Sequence, residues 1–117
     1  IHWGTEYRTT PTGEQVNYAH QFIEAGADII IGHHPHVIEY AEGETIAEWY
    51  EGPDGLERPI YYSLGNFIFD QYFQQNVQEG LGLTITLKKS LDPDEPSTVE
   101  IAETLFDIQK SQVKVRN

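Results

Sequence analysis

The sequence predicts a mixed α/β chain of the α+β kind, mostly β beyond residue 37, and three observations predict it. Apolar residues recur at helical spacing over 13–25. The β-branched run Ile29-Ile30-Ile31 follows almost at once. Past residue 37 the helical period gives way to alternating or short extended segments broken by turn residues. The chain therefore reads as a single domain, or a portion of one, with an αβ part over 1–36 and a β-rich part over 37–117.

Ile1-His2-Trp3 reads as the tail of a strand, and the polar, turn-rich stretch 4–11 as a loop. Thr12 followed by Gln15 fits a capping box; Val16, Ala19, Phe22 and Ile23 then supply an apolar face. Gly26 fits the position just past the helix. The helix feeds a buried strand at 28–31, which wants neighbours on both sides that the remaining sequence does not evidently supply. Segments 37–40, 45–51 and 59–64 read as extended. With the turn Pro53-Asp54-Gly55 between them, 45–64 becomes a hairpin. Residues 70–78 fit either a helical face or an ordered loop. Leu83-Thr84-Ile85-Thr86-Leu87 alternates as a half-buried strand should. A turn at 92–96 leads to a strand at 99–108, and 114–117 reads as a frayed tail.

Composition removes several function classes. Seven basic against nineteen acidic residues give a net charge of −12, with no basic stripe for nucleic acid or anionic lipid. An acidic chain can still handle an anionic substrate if bound divalent cations reverse the field locally. The absence of cysteine excludes thiolate metal sites, disulfides and a cysteine nucleophile. No apolar run approaches the roughly 20 residues that span a bilayer, so the segment itself is expected to be soluble and not membrane-inserted. It opens on Ile1 without an initiator Met and reads as an excised piece.

The chemistry concentrates in Gly32-His33-His34-Pro35-His36, directly after the apolar run. Ligands of open α/β sheets sit just past strand ends, and neutral imidazole is the commonest metal-binding side chain. Pro35 fixes its own φ and biases His34 away from the helical region, so the two flanking rings are expected on a stiffened, extended loop. His2, also at a strand end, is the third candidate ligand. Together with His34 and His36 it makes a plausible partial site for zinc, manganese or iron. His20, alone, reads as a surface or core residue. Glu6 is a candidate carboxylate for orienting a histidine ligand or carrying a proton, or simply a solvated loop residue. The Asn66 amide oxygen could face a cation or substrate, or stabilise a tight turn at Gly65-Asn66. Asp70 is a weaker candidate that fits a helix cap.

His2-Trp3-Gly4-Thr5-Glu6-Tyr7, Ala25-Gly26-Ala27-Asp28 leading into Gly32-His33-His34-Pro35-His36-Val37, and Tyr62-Ser63-Leu64-Gly65-Asn66-Phe67-Ile68-Phe69-Asp70 resemble the bacterial capsule-synthesis CapA family, associated with poly-γ-glutamate. The resemblance covers roughly residues 1 to 90. It implies a calcineurin-like metallophosphoesterase fold: a four-layer αββα sandwich with two metal ions at strand ends. On that resemblance His2 matches the lone histidine ligand of the family's fourth metal motif, and His34 and His36 match the pair that closes the site. His33 falls on the variable position, or is a ligand if the register shifts by one. Glu6, Tyr7 and Asn66 would line the cleft. The family's Asp-x-His, Gly-Asp and Gly-Asn-His motifs do not occur in this chain. The chain is therefore expected to be the C-terminal half of the domain, inactive alone, since a two-ion mechanism needs both ions to clamp the reacting oxygens.

The parent is then expected to be a metal-dependent hydrolase of the cell envelope, acting on a phosphoester or an anionic polymer. The competing expectation is a non-catalytic polymer-binding or assembly component of the same machinery. A truncated sheet with an open apolar edge predicts a homo-oligomer, or pairing with the missing N-terminal half.

Overall fold

The computed structural model describes residues 1–95, 97–109 and 112–117. Its first element is α1 (Gly13–Glu24), which starts where the sequence places it. The Thr12 hydroxyl accepts from the Gln15 amide at 3.2 Å, and the Gln15 side chain accepts from the Thr12 amide at 2.8 Å, closing the capping box. Gly26, at φ 106°, takes the left-handed conformation that ends the helix. Ala19 and Ile23 are fully buried. The face the sequence marks as apolar packs with Ile30, Ala41, Ile60 and Tyr62 into one core cluster. Phe22, counted on that face, is 39% exposed.

The central sheet uses β1 (Ile30–Ile31), β3 (Glu48–Glu51) and β4 (Glu57–Tyr61), in the order β1-β4-β3. The hairpin expected over 45–64 is present as β3–β4, with Glu51 opposite Glu57. β1 lies parallel to β4, Ile30 opposite Ile60. Its missing second neighbour is the start of the chain. The Ile1 nitrogen donates to the Ile31 carbonyl at 2.7 Å, the His33 amide to the Ile1 carbonyl at 2.8 Å, and the Trp3 amide to the His33 carbonyl at 3.1 Å.

A two-residue ladder, β2 (Ile38–Glu39) with β5 (Ser63–Leu64), follows the histidine loop. The rest is an antiparallel meander of β6 (Glu79–Lys88), β7 (Thr98–Gln109) and β8 (Gln112–Val115). A second core cluster of Ile38, Ala47, Tyr61 and Leu81, with Ile101 and Leu105 against it, joins meander to body.

One expectation needs correction. The tail 114–117 is not simply frayed: Gln-Val-Lys-Val alternates, Val113 sits opposite the buried Ile108, and the Arg116 amide donates to the Leu105 carbonyl at 2.9 Å. Of the two readings open for 70–78, the structure shows the ordered loop, with one 3-10 turn, Asn76–Gln78, anchored by buried Val77. In the expected turn at 92–96 the Asp94 amide donates to the Asp92 side chain at 2.9 Å, and Pro96 lies outside the described residues. Among the described residues no helix is long and apolar enough to cross a membrane.

Candidate functional site

The bonds that seat Ile1–Trp3 beside β1 put His2 opposite His33 in an isolated parallel bridge. Two strand ends separated by thirty residues of sequence thus meet at one edge of the sheet. The rings of His2 and His34 lie with centroids 4.5 Å apart, and those of His34 and His36 6.3 Å apart. All four histidines, 2, 33, 34 and 36, line one cavity of about 480 Å³, faced by Asn66 and by an apolar wall that includes Leu64, Phe67 and Phe69. Gly32 is the hinge that permits this. A Cβ there would stand 1.9 Å from the Tyr62 carbonyl oxygen and 2.4 Å from Trp3 Nε1, so only glycine lets the strand end pass between them.

The histidine loop is not extended, as the proline rule suggested. His34 has φ 106° and His36 φ 62°. A tertiary contact overrides the local preference: Pro35 is buried, and its carbonyl accepts from the Tyr7 amide at 2.8 Å. The His36 ring is caged by Tyr7 (centroids 6.0 Å apart) and Phe69 (5.1 Å). Its Nδ1 is 2.9 Å from Asn66 Oδ1. The Asn66 oxygen is thus engaged with a ring nitrogen rather than facing the cavity alone. Partial burial, with a smaller push from His2, holds the His33 imidazole below its ordinary pKa, which favours the neutral form that binds metals.

Glu6 and Asp70 are exposed and do not line the cavity. His20 sits elsewhere, 2.5 Å from the Glu48 carboxylate and stacked on Tyr50. The Tyr62 hydroxyl also donates to Glu48; burial and that carboxylate push its pKa up. Sequence reasoning missed Gln71, whose Nε2 donates to the Tyr7 hydroxyl at 3.0 Å while its Oε1 accepts from Asn66 Nδ2 at 3.3 Å. Nothing in the local sequence could reveal that link, because Tyr7 and Gln71 are distant in the chain.

The donor chemistry fits a divalent cation. A ring nitrogen about 2.1 Å from an ion puts the ring centre about 3.2 Å from it, so two rings lie about 5.2 Å apart on a tetrahedral ion and about 4.5 Å apart at an octahedral right angle. The His2–His34 separation is the octahedral one. The His34–His36 pair is near the widest span one ion can bridge. Among the described residues no three His, Asp or Glu side chains are gathered tightly enough to enclose an ion.

The family described as Bacterial capsule synthesis protein PGA_cap matches residues 1–71, a stretch that holds all four cavity histidines and Asn66. The chain is 49% identical over 70 residues to the PGA biosynthesis protein CapA of Bacillus subtilis (strain 168), a match covering 60% of this chain and 16% of that protein. It is 44% identical over 70 residues to the capsule biosynthesis protein CapA of Bacillus anthracis, covering 60% of this chain and 14% of the relative. The matched stretch is thus a small part of either relative's length. No solved structure matches the chain.

Proposed function

The chain belongs to the bacterial capsule synthesis protein family, and from that premise we propose that it forms the C-terminal half of a metallophosphoesterase-like domain acting in capsule or poly-γ-glutamate synthesis. In this reading His2, His34 and His36 bind a divalent cation (manganese, zinc or iron), with His33 beside them. The supporting observation is the convergence of His2 on His34 at 4.5 Å, across the bridge that joins the chain start to the end of β1.

A cation held there would supply Lewis acidity toward a phosphoester oxygen, or an amide of an acidic polymer. It would also offset the chain's net charge of −12 where an anionic substrate must dock. The chain's own residues present imidazole nitrogens, hold the His36 ring through Asn66, and screen it from water with Tyr7 and Phe69. The remaining ligands, and any second ion, would come from residues outside this chain, so the chain alone carries little or no hydrolysis. The central sheet and meander would then be parts of the αββα sandwich, and the whole protein a component of the cell envelope. Beyond Gly80, which already bridges Gly65, the outer edge of β6 would pair with the remaining part of the domain or with a second copy.

Calorimetric titration with Mn²⁺ and with Zn²⁺ tests the metal site. Binding should weaken at least tenfold in His34→Ala and stay unchanged in His20→Gln. Equal losses in both variants would overturn the assignment. No binding in the wild type, with intact affinity for poly-γ-glutamate, would favour a non-catalytic polymer-binding role.

A further inference from the structure

We infer that Asn66 is a positioning residue that holds the His36 imidazole in its Nδ1–H tautomer, leaving the Nε2 lone pair free to face a cation. The juxtaposition comes from a two-residue ladder. β2 and β5 pair Ile38 with Leu64 and Glu39 with Ser63; continued two residues outward, that register sets 36 opposite 66. The Ser63 hydroxyl pins the ladder by donating to the Val37 carbonyl at 2.7 Å. Gly65, at φ 72° with its Cβ position 2.8 Å from the Glu79 carbonyl oxygen, lets the backbone turn there at all.

The tautomer follows from the hydrogen-bond inventory. Asn66 is 6% exposed, so its amide must find partners within the protein. One neighbour is the Val77 carbonyl oxygen, 2.9 Å from Nδ2. A carbonyl only accepts, so the NH₂ end of Asn66 must point at Val77. The Gln71 Oε1, 3.3 Å from the same nitrogen, is a second acceptor. The other end, Oδ1, then faces His36 Nδ1 at 2.9 Å. An acceptor opposite a ring nitrogen requires that nitrogen to carry the proton. A neutral His36 is therefore protonated at Nδ1 and bare at Nε2, the reverse of the form that free imidazole side chains favour. Fixing the outer nitrogen by such a partner is how ligating histidines are oriented.

The tautomer stands on these contacts alone; only its use toward a cation rests on the metal reading above. Long-range ¹H–¹⁵N spectra of the ¹⁵N-labelled chain, near pH ~8.5 where imidazoles are neutral, report it directly, with His36→Gln assigning the resonances. The wild type should show Nδ1–H for His36. Asn66→Ala, which removes the acceptor, should shift the ring toward Nε2–H. Asn66→Asp keeps an oxygen toward His36 while losing the donor to Val77, so it should keep Nδ1–H even at a lower melting temperature. A residue that merely supports the fold would not separate these two variants. Mn²⁺ or Zn²⁺ affinity should fall about 10–100-fold in Asn66→Ala and less in Asn66→Asp. A wild-type Nε2–H signal, or an unchanged tautomer in Asn66→Ala, overturns the inference. Nδ1–H in a wild type that binds neither ion sustains it and sinks the metal reading instead.

Discussion

Replacing Glu39 with Gln should remove a pH-dependent loss of stability that this one side chain imposes. Glu39 sits on β2, three residues beyond His36, and is fully buried. Its Oε2 accepts from Gln15 Nε2 at 2.7 Å, while its Oε1 is buried with no partner. An ionised carboxylate would leave that oxygen desolvated and unpaired, so the fold favours the protonated acid. Burial outweighs the help of Gln15 and Arg8 and pushes the pKa up to about 7 from an ordinary 4.5. The folded chain therefore holds this proton more tightly than the unfolded chain does. No stability is lost below about pH 4.5. As the pH rises the unfolded state ionises first, and stability falls until about pH 7, where the folded acid also ionises. At about 1.4 kcal/mol per pH unit the full loss is about 3 kcal/mol, or roughly 10 °C in melting temperature for a chain of this size. Urea and thermal denaturation of wild type and Glu39→Gln across that window measure it. The quantity to follow is the difference between the two proteins, in which contributions common to both cancel. That difference should move toward the variant by about 3 kcal/mol between the two ends of the window. Parallel stability profiles would refute the reasoning.

Two further outcomes follow from geometry. Gly32→Ala, which drives a methyl group into the Tyr62 carbonyl and Trp3, should cost about 3 kcal/mol or more in urea denaturation. Gly13→Ala, at a helical position with nothing within 4 Å of the new atom, should be neutral or stabilising. The outer edge of β6 runs through Leu83, Ile85 and Leu87; paired with a second copy about Ile85, it matches leucine with leucine and threonine with threonine. Sedimentation should then show a dimer that Leu87→Lys, at a position 74% exposed, returns to a 13.4 kDa species. A monodisperse 13.4 kDa wild type would contradict it.

What the sequence revealed divides along the range of the interactions. The helix was legible because its cap, apolar face and terminating glycine all lie within fifteen residues, and each reports a local preference. The β3–β4 hairpin was legible for the same reason, through Pro53-Asp54-Gly55. β8 was not, because its pairing is decided by Ile108 and by Arg116 reaching Asp107 and Glu79, none of which a short polar tail announces. The histidine loop showed which chemistry was present but not how it was aimed. The rule for a residue before proline pointed His34 toward an extended backbone, and a hydrogen bond from Tyr7, far upstream, turned it the other way. The buried Gln15–Glu39 pair behind that loop was also hidden, since helix caps and strand carboxylates are usually read as solvent-facing.

The distribution of backbone strain carries the same point into function. Among the described residues four other than glycine have positive φ: Tyr7, His34, His36 and Glu44. Three of them belong to the histidine cavity or the cage around its His36 ring. A left-handed conformation costs a non-glycine residue about 1–2 kcal/mol, so something must offset several such costs in so small a region. The two loops do this for each other. The Tyr7 amide is satisfied by Pro35, buried between the strained histidines, while the Tyr7 ring and Asn66 hold His36. The loop that carries His2 and the loop that carries His34 and His36 are thereby cross-braced. A chain selected for stability alone would place glycine at these φ values, as this one does at Gly26, Gly55 and Gly65. If these imidazoles bind a cation as proposed, their rings are aimed before it arrives, and ordering entropy that binding would otherwise cost is met by folding.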